Sequence, residues 1–165
     1  MSTSAPTPAP FPHIPLLYTI LFLFYEPISA FGGALLCHFD APSFLQTMDG
    51  NAVYAPSSQI IYNQLGATYV LFAFNEAVLL RVCRDLTVWK VVMAGILMCD
   101  VLHLYASWCV MGTDVFVRPW VWRPEDWLAV GTIWAPLVVR IAFLAECGID
   151  TEPETERKKK EKKRV

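Results

Sequence analysis

The sequence is poor in charge, poor in histidine and lacks every common nucleotide- or metal-binding motif. Only 17% of its 165 residues are Asp, Glu, Lys or Arg, where a soluble domain carries about 25%. With 55% hydrophobic residues and a mean hydropathy of +0.42, that scarcity excludes an ordinary soluble domain and points to a membrane. Seven of the 13 Lys and Arg lie between Arg157 and Arg164, so the first 149 residues hold six bases against ten acids. No basic face is left for a nucleic acid. The five cysteines, Cys37, Cys83, Cys99, Cys109 and Cys147, are odd in number and form no CxxC pair, so neither a disulfide framework nor a zinc site is indicated. There is no GxSxG elbow, no HExxH, no Gly-rich phosphate loop and no dinucleotide fingerprint. No cofactor and no metal are therefore expected. The stretch Met1–Pro12 has four prolines and no positive residue, so the first apolar stretch reads as a retained span and not as a cleaved signal peptide.

What is present is four apolar stretches, each near the ~20 residues needed to cross a ~30 Å hydrocarbon core. They run from Ile14 to Cys37, Ile60 to Arg81, Thr87 to Met111 and Asp126 to Glu146. The expected fold is all-α, a transmembrane four-helix bundle over 14–148, flanked by a Pro-rich N-terminus (1–13) and a charged tail (149–165). A polar segment from Asp40 to Ser58 reads as a loop. The loop between the second and third spans and the tail together carry ten bases against two, Arg118 and Arg123, in the other loops. That asymmetry predicts that both termini are cytosolic. Lys162 and Lys163 resemble a dilysine retrieval signal of the endoplasmic reticulum, with a simple solvated tail as the plain alternative.

Ionisable groups at mid-membrane cost at least ~2.5 kcal/mol each and are functional candidates by default. Glu26, Glu76, Asp100 and Arg140 fall at similar depth, within roughly two helical turns, and His103 lies beside them. Asp100, His103 and Ser107 share one face, so Asp100 and His103 read as an acid/base pair. On the second span Tyr62, Leu65, Tyr69, Phe72 and Glu76 form one stripe, with Asn75 a step round the helix. An aromatic wall takes Glu76 out of water, and a carboxyl group kept protonated can act as a general acid. Tyr25, Tyr69, Asn75 and Trp108 are the candidate substrate contacts, with Trp134 as a further wall. The plainer readings are that Arg140 forms a structural ion pair, that Glu26 satisfies backbone groups freed by Pro27, and that His103 bonds across helices. Trp89, Trp120, Trp122 and Trp127 read as an interfacial belt.

A set of short motifs recurs together: Phe24-Tyr25-Glu26-Pro27, Gln64-Leu65-Gly66, Asn75-Glu76-Ala77, Asp85-Leu86 with Trp89, Asp100 and His103 with Leu104-Tyr105, Asp126-Trp127, and Arg140-Ile141-Ala142-Phe143. Over roughly Leu16 to Gly148 they resemble a family of small fungal four-span membrane proteins catalogued as a domain of unknown function. The resemblance implies a four-helix bundle and a fungal origin, in places beside natural-product pathways. More loosely, the chain is similar in architecture to the sterol isomerase and sigma-2 receptor group and to fungal membrane-bound terpene cyclases.

The expectation is a small endoplasmic reticulum enzyme of secondary metabolism performing redox-neutral acid/base chemistry on a lipophilic polyketide or terpenoid intermediate. Epoxide opening, cyclisation and isomerisation all fit. Glu26, Glu76, Asp100, His103 and Arg140 would be its catalytic residues. The alternative is a non-catalytic sterol- or lipid-binding protein or a scaffold for biosynthetic enzymes; proton-coupled transport is weaker, since four spans leave little room for alternating access. The partners are the bilayer and a lipophilic small molecule, with self-association or docking of pathway enzymes left open, and Gly32-Gly33 offers a close-packing surface.

Overall fold

A computed structural model describes residues 11–149, so the dilysine tail and most of the Pro-rich start lie outside the described residues. Among the described residues the chain is helical, without strands. Six helices occur in order: α1 (Leu16–Phe39), α2 (Ala41–Met48), α3 (Pro56–Val82), α4 (Leu86–Met111), α5 (Thr113–Phe116) and α6 (Pro124–Leu144). Helices α1, α3, α4 and α6 are each long and apolar enough to cross a membrane. Their outer faces carry large apolar side chains, among them Val91, Met98 and Leu102 on α4, all about two-thirds exposed. In water such a surface would be a liability; in hydrocarbon it is the expected one.

The segment read as a loop after α1 contains a helix. Asp40 caps α2, accepting a hydrogen bond from the Ser43 N–H at 3.2 Å, and Pro42 sits in its first turn. Phe44 anchors α2, buried against the rings of Tyr62 and Tyr69. Just beyond, a methyl group at Gly50 would collide with the guanidinium of Arg123. That guanidinium pairs with Asp126 at 2.5 Å, and the carboxylate's hydrogen bonds raise the Arg123 pKa above its ordinary value.

Packing runs within two pairs, α1 along α3 and α4 along α6. Two apolar clusters occur, one between the pairs and one within the second pair. At the end bearing the chain termini, Tyr18, Phe22, Leu80, Trp89, Met93, Ile96 and Phe143 form a closed aromatic plug. Phe143 stands edge-on to Phe22 at 5.4 Å and to Tyr18 at 5.3 Å, and the Tyr18 hydroxyl donates to the Cys147 carbonyl at 2.7 Å. Trp89 belongs to this plug and not to an interfacial belt: it is buried and its indole N–H donates to the Cys83 carbonyl at 2.9 Å. Towards the opposite end, Leu104, Ala129, Val130 and Leu137 pack α4 against α6.

Three of the four spans contain one wide turn, in which an N–H reaches back five residues. Glu26 bonds to Leu21, Leu80 to Asn75 and Thr132 to Trp127. Such π turns slip one residue into the helix, shift the faces beyond them and concentrate at functional sites. In α1 the wide turn is followed by Pro27, which has no N–H, so the Leu23 carbonyl loses its helical donor. Arg81 replaces that donor from α3, at 2.7 Å, with its guanidinium 4.7 Å from the centre of the Phe24 ring. Glu26 was read as the group that would repair this kink; its carboxylate is engaged elsewhere.

Candidate functional site

Arg140 is the largest fully buried side chain, only 1% exposed. It projects from α6 onto the plug, its guanidinium carbon 5.8 Å from the centre of the Phe22 ring. Its Nη1 donates to Asp100 on α4 and its Nη2 to Glu26 on α1, while Glu76 on α3 stands 3.9 Å from Nη2. One guanidinium thus ties together all four spans, using the flat fork that lysine lacks. Three carboxyl groups face it, which leaves the layer two charges negative if all are ionised.

Above this layer opens a cavity of about 820 Å³. Its floor is Glu26, Glu76, Asp100 and Arg140, with His103 a turn above on α4. Tyr25, Ser29, Gly32, Gly33 and Leu36 form the α1 wall; Tyr69 and Phe72 the α3 wall; Ile96 and Cys99 belong to α4; and Thr132, Ile133 and Pro136 come from α6. Phe44, Thr47 and Met48 of α2 roof it. The wall is apolar with a few hydroxyl groups, the usual character of a site for a lipophilic small molecule.

Several polar atoms at the floor have no partner within the described residues: Oε1 of Glu26, Oε1 of Glu76, Nε2 of His103 and Nε of Arg140, all buried. Buried polar atoms left unpaired cost about 1–3 kcal/mol each. All four belong to the charged layer and the turn above it, sealed from the cavity surface. No group of three or more His, Cys, Asp or Glu among the described residues is arranged to hold a metal ion.

The candidate residues from the sequence divide cleanly. Glu26, Glu76, Asp100, His103 and Arg140 share the cavity, as do Tyr25 and Tyr69. Asn75 and Trp108 do not line it. Trp108 faces outward, stacks near Tyr105 and donates from its indole N–H to the Thr113 hydroxyl at 3.0 Å; Trp134 is likewise outward, packed near Phe116. Asp100 does not pair with His103: its carboxylate is taken by Arg140, and the nearest charge outweighs the neighbouring turn. Ser29, Cys99, Thr47 and Thr132 were missed. Ser29 had a signal, being one turn from Glu26 on the same face; Thr47 had none, because α2 was not foreseen.

A family profile matches residues 11–149, which takes in every residue of the cavity. The chain belongs to the DUF7704 family, a domain of unknown function. No curated protein and no solved structure matches it.

Proposed function

We propose that this DUF7704 protein is a membrane-embedded enzyme that performs redox-neutral acid/base chemistry on a lipophilic polyketide or terpenoid intermediate. The observation that carries the reading is the floor of the cavity, where carboxyl groups from three helices meet one guanidinium beside an apolar space. Leaving two uncompensated negative charges at that depth costs several kcal/mol per ion. Charge balance therefore calls for protons held among the three carboxyls. Asp100 and Glu26 are occupied by Arg140, so Glu76 is the acid: it gives its proton to an epoxide oxygen or an alkene carbon. The cation formed, directly or after closing a ring, loses a proton to His103 at the cavity, and that proton returns to Glu76 to complete the cycle. The aromatic rings of Tyr25, Tyr69 and Phe72 stabilise that cation from the walls. No electron is transferred, and no cofactor enters the scheme.

The basic loop between α3 and α4 and the basic tail support a topology with both ends cytosolic, and Lys162-Lys163 supports residence in the endoplasmic reticulum. The resemblance to fungal four-span proteins supports a reaction of secondary metabolism as the setting. A second reading is favoured by one observation: Arg140 already ties the other three spans to its own by ion pairs, which is what a lipid-binding scaffold needs for stability alone.

The deciding experiment is metabolite profiling of a producing strain carrying Glu76→Gln. Product should fall by about 100-fold or more, the scale of a lost general acid, with its epoxide or uncyclised precursor accumulating and the protein level unchanged. An unchanged profile in that strain, or in a deletion strain, would overturn the enzyme reading in favour of the binder.

A further inference from the structure

The cavity is walled on two sides by packed helix pairs, sealed below by the aromatic plug and roofed by α2. Of the two sides between the pairs, that between α1 and α6 is the more open. Tyr25, Ser29 and Leu35 on α1 and Leu128 on α6 line the cavity and are at the same time exposed, whereas Tyr69, Phe72, Cys99 and His103 on α3 and α4 are only partly so. The four exposed residues lie within spans, so the outside they face is hydrocarbon and not water. Across this gap α1 and α6 are tied at the floor by the pairing of Arg140 with Glu26 and below it by Phe143 against Phe22 and Tyr18. The α1 rim is also built from small residues. Gly33 serves helix packing, since a methyl group there would stand 3.5 Å from the Tyr69 ring; Gly32, which lines the cavity, would have nothing within 4 Å of an added methyl. A glycine facing empty space beside a buried charged layer is not explained by close packing.

We infer that the gap between α1 and α6 is a lateral portal, with Gly32 at its rim, through which an uncharged, hydroxyl-bearing lipophile enters from the bilayer and lays its head on the floor. The head class follows from the charge of the floor. A hydroxyl brings no charge and can donate to the partly exposed carboxylates of Glu26 and Asp100. An anionic head, a fatty acid carboxylate or a phospholipid phosphate, meets three carboxyl groups and one guanidinium already engaged by two of them. The inference deepens the proposed function, because it names how and as what the ligand reaches that site. The two fail separately: entry without turnover leaves the portal standing and removes the enzyme.

The test uses the full chain in lipid nanodiscs and a hexadecanol probe carrying a mid-chain diazirine and an alkyne, beside the hexadecanoic acid of the same design. The alcohol should label α1 and α6 peptides and be competed by plain hexadecanol. Gly32→Trp should lower that labelling about tenfold, the equivalent of ~1.4 kcal/mol in occupancy. Gly95→Trp, at an outward position of α4 that also has nothing within 4 Å and does not line the cavity, should leave it unchanged. Equal labelling by the acid, or equal labelling in the two tryptophan variants, would overturn the inference. Should Gly32→Trp not fold, the wild-type protein alone decides. Adducts on α1 and α6 that hexadecanol competes away support the portal, and adducts spread over the outer face of α4 overturn it.

Discussion

At the scale of single residues, Arg140 decides the interior. A guanidinium at 1% exposure is tolerable because Asp100 and Glu26 are each hydrogen-bonded to it from a different helix. Arg140→Met removes the charge and leaves those carboxylates buried together, so we expect a loss of about 3–5 kcal/mol, seen as a lower unfolding temperature in detergent. Arg140→Lys keeps the charge and loses the fork, so it should recover part of that loss and not all of it. The members of this cluster were legible from the sequence, since ionisable residues are so few in the spans that each stands out. Their pairing was not legible. Asp100 lies one turn from His103 on the same helix, yet its partner comes from α6, forty positions along the chain.

At the scale of elements, the wide turns and their repairs determine where side chains point. Pro27 frees the Leu23 carbonyl and Arg81 takes it, so the two residues form one device across α1 and α3. In a double-mutant cycle, Arg81→Ala alone should cost about 1–2 kcal/mol. In a Pro27→Ala background, where residue 27 regains an N–H, the same change should cost less. Additive effects would mean that Arg81 works through its contacts with Phe24 and the Ala77 carbonyl instead. The spans themselves were visible as hydrophobic runs, and their ends agree with the observed helices to within a few residues because the flanking Pro, Asp and Arg residues mark them. Helix α2 was hidden by its brevity and polarity. Its signal, Asp40 followed by Pro42 and an apolar Phe44, is that of a capped helix start, and it was outweighed by the surrounding Ser, Asp and Asn.

At the scale of the molecule, the architecture is two helix pairs held apart by a cavity and held together at one layer. The close approach of α1 to α3 depends on Gly66, where a methyl group would meet the His38 ring and stand 3.2 Å from Cβ of Cys37. Small residues at such contacts let helices pack in lipid without a hydrophobic drive between them. Gly66→Val should therefore force the pair apart and cost about 1–3 kcal/mol, again read as thermal unfolding in detergent. Because the cavity wall includes both helices of this pair, that variant should also lose binding of the alcohol probe. A stabilised variant that still binds would show that α1 and α3 do not set the width of the cavity.

The sequence by itself determined that this is a four-span helical membrane protein and that its spans hold three acids and one base at similar positions along them. It did so through composition and run length, which need no knowledge of neighbours: hydrocarbon demands about 20 apolar residues per crossing and penalises each exception. The tertiary structure decided which of those exceptions touch. It set Asp100 on Arg140 in place of His103, turned Trp108 and Trp134 outward, drew Trp89 into the plug, and put Glu26 and Glu76 at the floor of a cavity. Those outcomes depend on helix rotation, which a single inserted residue in a wide turn shifts, and on contacts between segments distant in the chain. Neither quantity is written in local pattern, and both are needed before a charge becomes a site.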